Sequence, residues 1–103
     1  MATDDRWGPF EPGKFGTSQK ILVERSGGTV KLMKFEAGAS FPAHTHPDRT
    51  EWIWVVEGQV ETEVDGAVIR LGPGDLRIFP RQSRHRLAAA APALALVGAL
   101  KDL

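Results

Sequence analysis

The sequence predicts an all-β domain, a sandwich or barrel of short strands. Three observations carry this expectation. Short runs rich in Val, Ile, Thr and aromatic residues recur from residue 19 onward, separated by Gly, Pro and Asp turn signals. No long segment before residue 88 shows a 3.6-residue apolar period. Where facing can be read, it alternates: Val60, Thr62 and Val64 lie on one face and Glu61 and Glu63 on the other.

Residues 1–18 are rich in Gly, Pro and charge and read as an irregular arm, with residues 19–103 as the barrel. Trp7, Phe10 and Phe15 imply that the arm docks on something apolar. The first expected strand, 20–25, turns at Ser26-Gly27-Gly28 into a second, 29–35, which ends before Gly38. A Trp/Ile/Val run over 51–56 turns at Glu57-Gly58 into 60–64. Asp65-Gly66 is a two-residue hairpin signal leading into 68–71. Gly72-Pro73-Gly74 precedes a strand at 76–79, and a corner over 80–83 leads to a strand carrying His85. The alanines of the last segment favour helix. The even spacing of Leu94, Leu96 and Leu100 favours instead a return strand over 93–99 with a short tail.

At 103 residues the chain has the length of one domain. Its formal net charge is zero, which gives no bulk attraction to nucleic acid or to a membrane. With no cysteine, disulfides, thiolate catalysis and Cys-ligated metals are excluded; with no tyrosine, a common acid/base group is missing. The opening residues Met1-Ala2-Thr3-Asp4-Asp5-Arg6 are polar and acidic, unlike a secretory leader, and a cytoplasmic location is expected.

The three histidines are His44, His46 and His85. Side chains at i and i+2 of a strand point the same way, so His44 and His46 face one side together. Glu51 is offset by an odd number from His46, and the turn at 47–50 is needed to bring it back to that side. His85 has to arrive from a distant strand, as barrel closure allows. A single histidine on a strand is ordinarily a core or surface residue. Here all three, with Glu51, fall in one spaced pattern, and that set suits a divalent transition metal: Fe, Mn, Ni, Zn or Cu. Four protein ligands on an octahedral ion leave two positions for a small molecule. A divalent ion with one carboxylate and three neutral imidazoles carries a net charge of about +1, which favours an anionic or enolisable oxygen ligand.

These residues resemble the two cupin motifs. The first, G(x5)HxH(x3–4)E(x6)G, is matched by Gly38, His44, His46, Glu51 and Gly58. The second, G(x5)PxG(x2)H(x3)N, is matched by Gly74, Pro80 and His85, with Gln82 where glycine is usual and Ala89 where asparagine is usual. The resemblance covers roughly residues 30–90. It implies a double-stranded β-helix (jelly-roll) barrel with a metal held inside by His44, His46, Glu51 and His85, and it implies a homodimer. It leaves the reaction open. Small cupins include dioxygenases, isomerases and epimerases, lyases, effector binders and metal-binding regulatory domains.

Other residues have weaker cases. Phe41 and Phe79 are expected to line the barrel with Met33, Phe35, Ile53 and Ile78, and those near the mouth can shape an apolar pocket. Arg77 and Arg81 are candidate anchors for a substrate carboxylate or phosphate, and Gln82 can turn its amide toward the pocket. Arg84 and Arg86 flank His85 and point away from it. Asp48 belongs to a solvated loop. Trp52 and Trp54 face outward and need cover from the arm or from a second subunit. The expected function is metal-dependent chemistry on a small molecule, with dioxygenase chemistry slightly favoured because no spare histidine, tyrosine or cysteine remains for acid/base work. The alternatives are an isomerase or lyase acting on a sugar-like or hydroxy-acid substrate, and a non-catalytic binding or sensing module.

Overall fold

The computed structural model describes residues 7–101 and arranges them in ten strands. In chain order these are β1 Glu11–Pro12, β2 Thr17–Arg25, β3 Gly28–Phe35, β4 Ala39–Thr45, β5 Thr50–Glu57, β6 Val60–Val64, β7 Ala67–Leu71, β8 Leu76–Phe79, β9 Arg84–Ala89 and β10 Ala93–Leu100. One sheet has the order β1-β2-β3-β10-β5-β8, the other β4-β9-β6-β7. Every pairing is antiparallel. The two sheets close over one apolar interior as a jelly roll. No described helix is long and apolar enough to cross a membrane.

Period-two alternation builds that interior. Ile53 and Val55 of β5 are fully buried, while Trp54 between them is exposed. Val60 and Thr62 of β6 are fully buried, and Glu61 and Glu63 face outward to meet Arg86 at 3.0 and 3.7 Å. The buried Thr62 hydroxyl donates to the Ile69 carbonyl at 2.8 Å, so no polar group is stranded there. Asp65 and Gly66 have φ of 47° and 87°, the left-handed pair that a two-residue hairpin requires.

The stretch ahead of β2 is mostly irregular: residues 7–10 lie over the outer face of β2 and β3, β1 extends the sheet edge, and Phe15 packs on Phe41 of β4. The Lys34 ammonium sits 4.1 Å from the centre of the Phe10 ring, and Lys20 donates to the Trp7 carbonyl. Residues 1–6 of the expected arm and 102–103 of the tail lie outside the described residues.

One detail differs from the sequence expectation, and a second is one that it leaves open. Ile78 is not part of the barrel lining: it is 55% exposed, because Phe79 beside it on β8 takes the inward position. On β10 the inward row is the small one. Ala93, Ala95 and Val97 join the core, and Leu94 and Leu96 fall on the opposite face. Small residues leave room between the sheets, where large ones already project from β3, β5 and β8.

Gly98 of β10 pairs with Trp52 of β5 on the outer face, and a Cβ added there would overlap the indole. The glycine is the slot in which Trp52 lies. Gly98→Ala should therefore displace the indole and destabilise the fold by about 1–3 kcal/mol. Thermal unfolding followed by tryptophan fluorescence checks this; an unchanged midpoint and emission maximum would show that the slot does not matter.

Candidate metal centre

Three strands converge at one end of the barrel. β4 and β9 pair in a register that sets His44 directly opposite His85. That register shifts between Phe41 and His44, so the segment around Pro42 bulges and re-aims the histidines that follow. Glu51, the second residue of β5, pairs with Phe79 on one side and Ala99 on the other. Phe79 is buried, so Glu51 shares its inward direction.

His46 lies just past the end of β4. It is held by the corner that precedes β9, where the Gln82 amide donates to the His46 carbonyl at 3.1 Å. Gln82 itself has φ of 70°, the left-handed region that a glycine occupies without strain. The Ser83 amide and hydroxyl both donate to the Pro80 carbonyl, at 3.0 and 2.6 Å, which closes the corner.

The result is a tight cluster. One ligand atom from each of His44, His46, Glu51 and His85 lies within 4.8 Å of the other three. Glu51 Oε1 is 3.1 Å from His46 Nε2 and 3.1 Å from His85 Nε2. Two ligands on opposite sides of one transition-metal ion are about 4.2 Å apart, so a small contraction suffices. His44 Nδ1 is 2.9 Å from the Pro42 carbonyl. A carbonyl only accepts, so that nitrogen carries the proton and Nε2 keeps its lone pair for a metal. His85 Nδ1 is buried without a hydrogen bond, so the polar contacts of that ring lie on its Nε2 side, toward Glu51. Phe79 stacks on His85 at 4.6 Å with 5° between planes, which fixes the imidazole orientation. The donor set and its spacing fit a divalent transition metal.

The electrostatics agree. Burial works to raise the Glu51 pKa, but the His85 hydrogen bond and the neighbouring imidazoles outweigh it and hold the carboxyl below its ordinary value. Burial lowers the His46 pKa; Glu51 opposes this, while Arg49, His44 and His85 reinforce it. Both shifts favour the deprotonated forms that ligate metal.

The other candidates are placed differently. The Phe41 ring is 6.2 Å from His44 and makes an edge contact at 5.0 Å with Phe15, which extends the aromatic wall outward. Arg77 Nη1 donates to the Thr62 hydroxyl at 2.8 Å, and to the carbonyls of Thr62 and Ala67 at 3.1 and 3.2 Å. It ties β8 across to the β6–β7 hairpin. Arg81 reaches the Lys101 carbonyl at 2.6 Å. Gln82 engages the centre through its backbone, as described. Asp48 meets Arg49 at 3.4 Å in an exposed loop.

Two residues that sequence reasoning passed over face the same interior. Lys31 pairs with Val97, which pairs with Ile53, and both are buried core residues. Lys31 Nζ donates to Gln19 Oε1 at 3.0 Å. Burial lowers the Lys31 pKa, Glu51 counters that, and Arg49 adds to it. A signal was present: Lys31 has the same parity as Met33 and Phe35, where an inward apolar residue is the default.

Comparison with known proteins agrees with this fold. The chain is 30% identical over 66 residues to the polyketide synthase CurC of Streptomyces cyaneus, and it spans 43% of that protein's length. Among solved structures, KdgF from a Halomonas species superposes with a TM-score of 0.87 at 25% identity, over 97% of this chain and 92% of that one. An RmlC-like cupin from Shewanella frigidimarina gives a TM-score of 0.86 at 20% identity, over 96% and 88%. The Cupin domain family matches residues 31–97, a span that takes in all of β4, β5 and β9. With the strands that carry His44, Glu51 and His85 all inside the match, the chain belongs to the cupin family.

Proposed function

We propose that this protein is a metal-dependent enzyme for a small oxygenated molecule, with a divalent transition metal held by His44, His46, His85 and Glu51. The observation that supports it best is the convergence of three imidazoles and one carboxylate at the inner mouth of the barrel, their ligand atoms within 4.8 Å of one another. When bound, such a metal supplies Lewis-acid polarisation of substrate oxygens and, for a redox-active ion, access to O₂. The chain's own residues do the rest. Phe79 holds His85 in plane. The Pro42 carbonyl orients His44. Phe41 and Phe15 form an apolar wall that sheds water from one side. With all three histidines in the cluster, dioxygenase chemistry is the reading favoured over isomerase or lyase chemistry.

The wild type should bind about one equivalent of divalent transition metal, and His85→Ala should weaken binding at least about 100-fold, more than changes outside the ligand shell typically do. Equilibrium dialysis with metal analysis measures both. Turnover of diketones, hydroxy acids and uronates, screened with and without O₂, then separates the chemistries. Turnover that requires O₂ supports the dioxygenase, and turnover in its absence supports the isomerase or lyase. A wild type that binds no divalent metal sinks the whole reading.

Metal affinity and fold stability should both fall as pH drops. Glu51 and His46 have folded-state pKa values below their ordinary ones. Groups with depressed values add stability above the unfolded pKa and lose it as pH falls toward the folded one. Weakening should therefore begin below about pH 6.5, from His46, and steepen below about pH 4.5, from Glu51. Denaturant titrations of the metal-free protein between pH 8 and 4 check the direction; flat or rising stability on acidification contradicts it.

The outer face of the larger sheet is proposed as a homodimer surface. Trp52, Trp54, Leu76, Ile78 and Leu96 line one concavity, and Trp54, Leu76 and Ile78 are 40%, 56% and 55% exposed. Sedimentation equilibrium should find a dimer for the wild type and a monomer for Ile78→Lys. A monomeric wild type removes the proposal.

A further inference from the structure

Lys31 occupies an inward position on β3, in the row that continues into Met33 and Phe35. Its strand neighbours on that face, Met33 and Phe35, are buried in the core, and so is its partner on β10, Val97, whereas its partner on β2, Ile21, is exposed. An ammonium in such a place loses hydration, and burial is the main influence on this one. Nothing in its packing offsets that loss in full. Among the described residues its hydrogen bond is the one to Gln19, and no carboxylate lies within ion-pair distance. An ammonium has three donors, so two are open to something else.

Its position relates it to the metal centre. The strands run β3-β10-β5, and Lys31 lines up through Val97 with Ile53, two residues along β5 from Glu51, so Lys31 and Glu51 start roughly 12 Å apart. Lys31 Nζ bonds to Gln19 on the neighbouring β2, and it and Glu51 still feel each other's charge. Among the other cations, Arg77 is turned to the β6–β7 hairpin, Arg86 to Glu61 and Glu63, and Lys34 to the Phe10 ring, while Arg49, in the loop before β5, adds its charge to the region that Lys31 and Glu51 share. Gln19, which steadies Lys31, lines with Met33 and Phe41 a cavity of about 380 Å³ beneath the turn from β1 to β2.

We propose that Lys31, positioned by Gln19, is a substrate-binding residue that takes a second anionic group, a carboxylate, of a small molecule held through its oxygens at the metal centre. This rests on the metal reading given above. The centre with a divalent ion carries about +1, and Lys31 adds a positive charge displaced toward β3. Two separated positive sites select a ligand with two negative ends, such as a hydroxy or oxo dicarboxylate, over a monoanion of similar chelating power.

Cobalt(II)-loaded protein tests this through its visible spectrum, titrated with malate and with lactate. The two probes share a 2-hydroxy acid, and malate has one more carboxylate. The wild type should bind malate at least about tenfold more tightly than lactate. Lys31→Met should keep its cobalt and its lactate affinity while the malate preference falls about tenfold, and Lys31→Arg should restore part of it. Gln19→Leu should lower the preference to an intermediate value. A malate-to-lactate ratio unchanged in Lys31→Met overturns the inference. So does a wild type that shows no preference or responds to neither probe, and that result stands even if Lys31→Met fails to fold. A wild type that takes up no cobalt fails at the metal reading instead, and the inference falls with it.

Discussion

The pairing of β4 with β9, in the register that sets His44 opposite His85, is the constraint on which the mouth of the barrel depends. Side-chain direction has a period of two, so a slip of one residue would turn either histidine to the opposite face. The pairing is held at several points. The bulge around Pro42 sets the direction of His44. The Gln82 amide clamps the His46 carbonyl to the corner before β9. The Asp65 carboxylate accepts from the Arg84 amide at 2.9 Å, which anchors the start of β9 to the β6–β7 turn. Glu51 comes from the other sheet, so the cluster exists only when the two sheets are closed on each other.

Below that polar mouth the interior is apolar. Phe79 joins the two zones: one of its faces stacks on His85, and the ring belongs to the core cluster with Phe35, Ile53 and Val55. Core packing is therefore coupled to imidazole orientation, because interiors are close-packed and pass displacement on. The mouth also concentrates groups that work against stability. Glu51 is largely withdrawn from water, and three imidazoles crowd around it. Lys31 is withdrawn too. Local departures from good packing of this kind are expected where a site has to bind something.

The exterior is uneven. One face of the larger sheet exposes tryptophan, leucine and isoleucine, while the strands of the smaller sheet present Glu61, Glu63 and Arg86 as an ion-pair cluster. Gly98 and Trp52 show that the apolar face is shaped, since an indole lies in a slot that only glycine leaves open. The arm covers a different region, over β2 and β3, and so leaves the tryptophan face open.

Much of this could be read from the chain alone. Strands β6 and β8 fall at the residues expected, and the Asp65-Gly66 turn has the expected left-handed backbone, because alternation and turn chemistry are local properties. The gathering of His44, His46, Glu51 and His85 was also legible, since their spacing is a property of sequence. What only the tertiary structure decided is which face of each strand is inside and who its neighbours are. Three leucines drew attention to one side of β10, yet the alanine side faces the core. Ile78 and Phe79 were both expected inside, and adjacent residues of one strand cannot both be. Arg77 found its partners on a hairpin 10 and 15 residues away, and Lys31 came to share an interior with Glu51. Periodicity within a strand defines two faces but does not label them; the labels come from long-range pairing and sheet closure, which no local pattern contains.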